Sequence, residues 1–160
     1  MLISHTISSI PGVGSMAPDF TLPSTADQDV SLASFRGKQP VLIAFFPLAF
    51  TGTCTKELCA FTDEFDQFAG TGVAILPISV DHKASLKEYK AKYAMKVDLL
   101  SDFKRDACSA YGTLLMDKYY SNRAYFLTDK AGVLRWVHVE ANASNRRENS
   151  EILAEIAKLK

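Results

Sequence analysis

The chain has 160 residues, 48% hydrophobic and 22% charged, which suits one domain with a sizeable core and excludes a disordered segment. Lys+Arg and Asp+Glu each count 18, so no net field draws the chain to nucleic acid or an anionic membrane surface. The longest apolar runs, such as VLIAFFPLAF at 41–50, reach about half of the roughly 20 residues that span a bilayer.

The start, MLISHTISSIPGVGSMAPDF, lacks the positive residues and long apolar stretch of a secretory signal. Three cysteines are too few, and odd in number, for a secreted disulfide framework. The expectation is a reducing, cytoplasmic compartment, where paired thiols serve redox chemistry or metal. One domain is expected over 1–160, with 1–13 as an irregular, flexible lead-in.

Residues 19–38 mix apolar positions with the turn formers Pro23, Asp27 and Gly37, which predicts short strands and a helical turn. Val41–Phe46 is continuously apolar, with β-branched and aromatic members, the pattern of a strand buried on both faces. One helix is predicted from Gly52 to Phe68, because Leu58, Phe61, Phe65 and Phe68 recur at threes and fours. GVAILPISVD (72–81) reads as the next buried strand and HKASLKEYKAKYA (82–94) as a helix with Leu86, Tyr89 and Tyr93 on one stripe. LLSD (99–102) closes a short strand, and KRDACSAYG (104–112) ends a short helix at Gly112. RAYFLTDKAGVLRWVHVE (123–140) is a hairpin around DKAG. EANASNRRE (140–148) is a polar loop, its NRRE run and the KRD run at 104–106 both taken as solvated surface. RENSEILAEIAKLK (147–160) is an amphipathic helix with Ile152, Ile156 and Leu159 inward. The order implies an α/β fold with a mixed sheet and helices on its faces.

The chemistry gathers at 47–59, PLAFTGTCTKELC. A helix starting near Gly52 puts Cys54 in its first turn, where unpaired N–H groups and the helix dipole favour a thiolate. Pro47 bends the chain as it leaves the strand, Gly52 gives backbone donors close approach, and the Thr51 hydroxyl can both donate to a substrate oxygen and accept from elsewhere. Cys59 lies five residues on, which in an intact helix means about 140° of rotation and a Cα separation of about 8.7 Å. That exceeds the ~7 Å reach of a disulfide, so a bond between the two thiols requires the first turns to unwind. A metal half-site, a redox pair and simple packing remain open on these residues alone. His82 and His138 stand isolated, without the spacing to cysteine that zinc sites show. Cys108 reads as helix packing, and Trp136 with Phe45, Phe46, Phe61, Phe65 and Phe68 as core.

The stretch fits P-x-x-x-[TS]-x-x-C through Pro47, Thr51 and Cys54, and so resembles the active-site pattern of the peroxiredoxins. The spacing C-x-x-x-x-C from Cys54 to Cys59 is similar to the peroxiredoxin Q, or bacterioferritin comigratory protein, subgroup. PLAFTGTC is similar to alkyl hydroperoxide reductase E-type members. APDFTL (17–22), LLSDF (99–103), AYG (110–112) and RAYFLTDKAGVLRWV (123–137) extend the resemblance over nearly the whole chain from Gly14. The resemblance implies a thioredoxin-like fold and a thiol peroxidase with no metal and no organic cofactor. It makes Cys54 the peroxidatic cysteine, with Thr51 bonding the thiolate or peroxide and Pro47 shielding the pocket. Arg123 would hold the thiolate, the Thr53 and Cys54 amides would donate to substrate, and Glu57 would orient Arg123. Without the resemblance Arg123 would read as a strand-edge cation. Cys59 would resolve the sulfenic acid as an intramolecular disulfide, reduced by thioredoxin or a glutaredoxin-type dithiol. Relatives of the two subgroups are monomers or homodimers.

Alternatives from other classes are a one-cysteine peroxidase resolved by an external thiol and a peroxide sensor or holdase without turnover. A thiol–disulfide oxidoreductase is disfavoured because its C-x-x-C spacing is absent. A cysteine hydrolase lacks a recognisable histidine or asparagine partner.

Overall fold

The computed structural model of the protein describes residues 6–160. Residues 1–5 of the expected lead-in lie outside them. The first hairpin pairs β1 (Thr21–Pro23) with β2 (Asp29–Ser31), and a 3-10 turn follows at Leu32–Phe35. β3 (Val41–Phe45) comes next, then helices α1 (Gly52–Asp63) and α2 (Phe65–Gly70), β4 (Ala74–Ser79), α3 (Lys83–Lys92) and β5 (Leu100–Ser101). The second half holds α4 (Asp106–Ala110), a small hairpin of β6 (Leu114–Leu115) and β7 (Tyr120–Ser121), then β8 (Ala124–Thr128), β9 (Leu134–Val139) and α5 (Asn149–Ala157).

The central sheet runs β5-β4-β3-β8-β9. β4 is parallel to β3 and β5, whereas β8 is antiparallel to β3 and β9 to β8, so the sheet is mixed, as expected. All five β3 residues are buried because both faces of that strand are covered. Side chains alternate across a strand, so Val41, Ile43 and Phe45 enter one core while Leu42 and Ala44 enter the other. The first core is closed by the β1–β2 hairpin and α4 through Leu22, Ala107, Cys108 and Tyr111. The second is closed by α1, α2, α3 and α5 through Leu58, Phe68, Leu86 and Ile152. No helix among the described residues is long and apolar enough to cross a membrane.

The fold departs from the sequence reading at three places. The helix drawn over 52–68 is two helices, broken at Glu64 with φ −107° and ψ 22°. Asp63 and Glu64 put negative charge at a helix C-terminus that has no basic residue in its last turn, which the dipole disfavours. The break also lets Phe61 and Phe68 meet edge to face at 5.6 Å. The β6–β7 hairpin has no counterpart in the sequence reading, because two-residue strands are too short to show a period.

The third concerns the lead-in, which is irregular over its described part but pinned. Ser8 N–H bonds Ser109 O at 2.9 Å, and Gly14 N–H bonds Leu134 O at 2.8 Å. The segment passes directly over Gly112, whose φ is +69°. A Cβ there would sit 2.7 Å from Ser8 O and 2.8 Å from Ile10 N, both backbone atoms that cannot swing aside. Gly112→Ala is therefore expected to destabilise the fold by about 2 kcal/mol or more, read as a lower melting temperature.

Candidate active site

After β3 the chain continues through buried Pro47 to Ala49, whose N–H bonds Asp81 Oδ2 at 2.8 Å. Phe50 then takes a left-handed φ of 64°, and its ring lies 4.8 Å from that of Tyr89. This reversal sets Thr51 as the residue before α1. The first helical closure is Thr55 N–H to Thr51 O, so the amides of Thr53 and Cys54 precede the hydrogen-bonded ladder. The buried stripe of α1 is Cys54, Glu57, Leu58 and Phe61, which places the thiol and a carboxyl against the sheet rather than in solvent. Cys54 is 1% exposed.

Arg123 stands at the head of β8, and by strand alternation it shares a face with Tyr125, the face that meets α1. Its guanidinium is 1% exposed and fully engaged. Nη2 donates to Cys54 Sγ at 3.1 Å and to Ala143 O at 3.1 Å; Nε also donates to Ala143 O, at 3.2 Å. Nη1 donates to Glu57 Oε1 at 2.8 Å. The other carboxyl oxygen, Glu57 Oε2, accepts from Tyr125 OH, which in turn accepts from Arg147 N–H at 3.0 Å. Burial pushes the Glu57 carboxyl up from its ordinary range, opposed by Arg123 and by the Tyr125 hydroxyl. Burial works against the Arg123 charge as well, but Glu57 and the Cys54 sulfur outweigh it and hold the guanidinium protonated. A thiol sulfur in contact with a fixed cation at a helix N-terminus is placed to act as a nucleophile.

The structure thus joins Cys54, Glu57 and Arg123 directly, with Thr51 and Thr53 at the start of the same helix and Pro47 buried in the segment that leads to it. The Thr51 hydroxyl donates to Leu48 O at 2.7 Å, which in this arrangement leaves it a lone pair to accept with, one of the two roles expected of it. The Thr53 hydroxyl donates to Ser144 O at 3.3 Å. The NRRE run lies at the surface as expected, with Asn145 and Glu148 exposed, but its arginines are part-buried and Arg147 is engaged. Arg147 Nε and Nη2 bond the 3%-exposed carboxylate of Glu140 at 2.7 and 3.3 Å, and the loop's Ala143 carbonyl braces Arg123. In the KRD run Lys104 and Asp106 are exposed as expected, while Arg105 lies 5.2 Å from the centre of the Tyr119 ring and donates to Tyr119 O. Ala143 left no trace in the sequence, since a backbone oxygen belongs to every residue type. Tyr125 did leave one, a tyrosine two residues after Arg123 on the same strand face.

Cys59 sits on another side of α1, half-buried, and all three cysteines are free thiols. The helix between Cys54 and Cys59 is unbroken, which keeps the pair beyond disulfide reach. Partial burial and the nearby Asp63 carboxylate push the Cys59 thiol up, so it waits as a protonated, weak nucleophile. Asp63→Asn is expected to speed alkylation of Cys59 at neutral pH by about two- to threefold, measured by peptide mapping. Cys108 is fully buried, its thiol pushed far up by burial and by Asp102, in keeping with a packing role.

Residues 13–137 match the AhpC/TSA family. The chain is 37% identical over 127 residues to peroxiredoxin Q, a chloroplastic protein of Oryza sativa subsp. japonica, covering 78% of this chain and 58% of that protein. This chain therefore spans somewhat under two thirds of that relative's length. It is 38% identical over 130 residues to alkyl hydroperoxide reductase E of Mycobacterium tuberculosis, covering 80% and 85% of the two chains. Its fold matches the reduced 2-Cys peroxiredoxin of Plasmodium vivax with a TM-score of 0.84 at 33% identity, over 91% of this chain and 80% of that one. The mitochondrial 2-Cys peroxiredoxin of Plasmodium falciparum matches with a TM-score of 0.83 at 27% identity, over 92% and 93%.

Proposed function

The chain belongs to the AhpC/TSA family of peroxiredoxins, with their thioredoxin fold, and on that premise we propose that it is a thiol peroxidase that reduces hydrogen peroxide and organic hydroperoxides. The observation that carries this reading is the buried Cys54 sulfur held 3.1 Å from a guanidinium at the start of a helix. The thiolate attacks the distal peroxide oxygen, the O–O bond breaks, and its electron pair leaves with hydroxide or alkoxide, which takes up a proton. Cys54 is oxidised to sulfenic acid and the peroxide is reduced to water or alcohol. Arg123 stabilises both the attacking sulfur and the charge moving onto the departing oxygen, while the Thr53 and Cys54 amides donate to the peroxide. Buried Pro47 limits water at the sulfur.

The Cys59 thiol then attacks the sulfenic sulfur, water leaves, and an intramolecular disulfide forms. A thioredoxin- or glutaredoxin-type dithiol reduces it by exchange, itself becoming a disulfide. No metal or organic cofactor enters these steps. The sparse, odd cysteine count supports a reducing, cytoplasmic setting, and the active unit is a monomer or homodimer. A one-cysteine cycle is the second reading, favoured by the unbroken helix that keeps Cys59 away from Cys54.

The test is stopped-flow mixing of the reduced protein with hydrogen peroxide, followed by thiol mapping. The expected result is rapid, selective loss of the Cys54 thiol ahead of Cys59 and Cys108. Comparable, slow loss at all three would sink the peroxidase reading.

A further inference from the structure

Tyr125 touches neither Cys54 nor Arg123 by hydrogen bond, yet it holds what orients them. It is fully buried on β8. Its hydroxyl donates to Glu57 Oε2 and accepts the Arg147 amide at 3.0 Å. Glu57 is the carboxylate that fixes Arg123 Nη1, and the Arg147 amide belongs to the loop that delivers the Ala143 carbonyl to Nε and Nη2. One hydroxyl therefore joins both walls of the slot in which the guanidinium lies. We propose that Tyr125 is a positioning residue of the peroxidase site, setting Arg123 against the Cys54 sulfur by holding Glu57 on one side and the 140–148 loop on the other. The inference rests on the peroxidase reading above.

Removing the hydroxyl alone takes a partner from the buried Glu57 Oε2 and from the part-buried Arg147 N–H. The carboxylate is then free to rotate, and its charged form loses a donor. Protonation of Glu57 would follow at a higher pH than before, weakening its charge-assisted bond to Arg123. The charged and titratable groups facing Glu57 are Arg123 and Tyr125 from β8, Arg146 from the loop, and Cys54 from its own helix. Loss of function should therefore deepen as the pH falls, which a packing defect would not reproduce.

The experiment measures the second-order rate of Cys54 oxidation by hydrogen peroxide at about pH 6 and about pH 8 in the wild type, Tyr125→Phe, Glu57→Gln and the double variant. Tyr125→Phe keeps the ring and its stacking on Trp136, 5.9 Å away, so the fold should survive. The expected result is a loss of about tenfold near pH 6, smaller near pH 8, and no further loss when the change is added to Glu57→Gln. A Tyr125→Phe rate within about twofold of wild type at both pH values, or a pH-independent loss that multiplies with that of Glu57→Gln, overturns the inference alone. A wild type that does not consume peroxide at Cys54 overturns both readings. Should Tyr125→Phe fail to fold, 3,5-difluorotyrosine at position 125 keeps the shape and makes the hydroxyl a stronger donor. The acid limb of the rate profile should then move to lower pH, and an unmoved limb overturns the inference.

Discussion

Arg123→Ala should lower the rate of Cys54 oxidation by about one to two orders of magnitude and the stability of the fold by about 3–5 kcal/mol. The rate loss follows from the 3.1 Å bond between Nη2 and Sγ, a charge-assisted contact that also stabilises the oxygen leaving in the transition state. The stability loss has a different origin. Glu57 is 1% exposed, and without Arg123 its carboxylate remains buried with only the Tyr125 hydroxyl for company. Burial already pushes Glu57 up, and loss of the cation pushes it further, so the variant should bind a proton there on folding. For a carboxyl whose pKa is higher in the folded than in the unfolded state, the folded form binds more protons between the two values. Stability should therefore fall as pH rises through that window, more steeply in Arg123→Ala than in wild type. Denaturant melts across a pH series check this; equal slopes for the two proteins would mean that Glu57 does not depend on Arg123. Arg123→Lys should rescue little, because an ammonium cannot bridge sulfur, carboxylate and carbonyl in one plane.

Cys59→Ser should reduce steady-state turnover with a dithiol reductant by about two orders of magnitude while leaving the first oxidation of Cys54 unchanged. The separation of the two effects comes from geometry. Cys59 lies outside the buried stripe of α1 that meets Arg123, and it can reach Cys54 only after residues of α1 leave the helix. In the wild type, formation of the disulfide should therefore coincide with loss of helical signal. In the variant the helix should persist, and Cys54 should pass to sulfinic acid under excess peroxide. Undiminished turnover of Cys59→Ser would establish the one-cysteine cycle instead. The helix is well suited to unwinding: it starts with Gly52, has no side-chain cap and carries no acidic residue in its first turn. Contacts that oppose unwinding include Thr53 to Ser144 O, Cys54 Sγ and Glu57 to Arg123, Thr55 Oγ1 to Tyr89 OH at 2.8 Å, and Asn149 Nδ2 to Ala60 O at 2.9 Å.

How much of this was legible beforehand differs by element. The β8–β9 hairpin could be read because its turn, DKAG, states its own geometry, with Gly132 at φ +90°. The strand VLIAF could be read because burial on both faces makes it a continuous apolar run, and the stripe of α1 because burial on one face writes a period into the residues. The break at Glu64 could not, since Phe61, Phe65 and Phe68 keep a helical spacing whether or not the ladder is continuous. Glu57 was visible as a candidate by its place one turn after Cys54, but nothing local showed that it sits in the buried stripe between an arginine and a tyrosine.

The sequence by itself determined the chemistry: a cysteine at a helix start, an arginine at a strand start, a second thiol five residues on, and the order of elements that makes the sheet mixed. These depend on neighbours within a turn or on the period of a single element. Only the tertiary structure decided how the arginine is held. Cys54 and Arg123 are 69 residues apart, Arg123 and Glu57 66, and Tyr125 and Glu57 68, and the Ala143 brace is a backbone oxygen. Contacts at such separations arise from the crossing of β8 under α1. A carbonyl, present in every residue, leaves no mark in the sequence until the fold aims it.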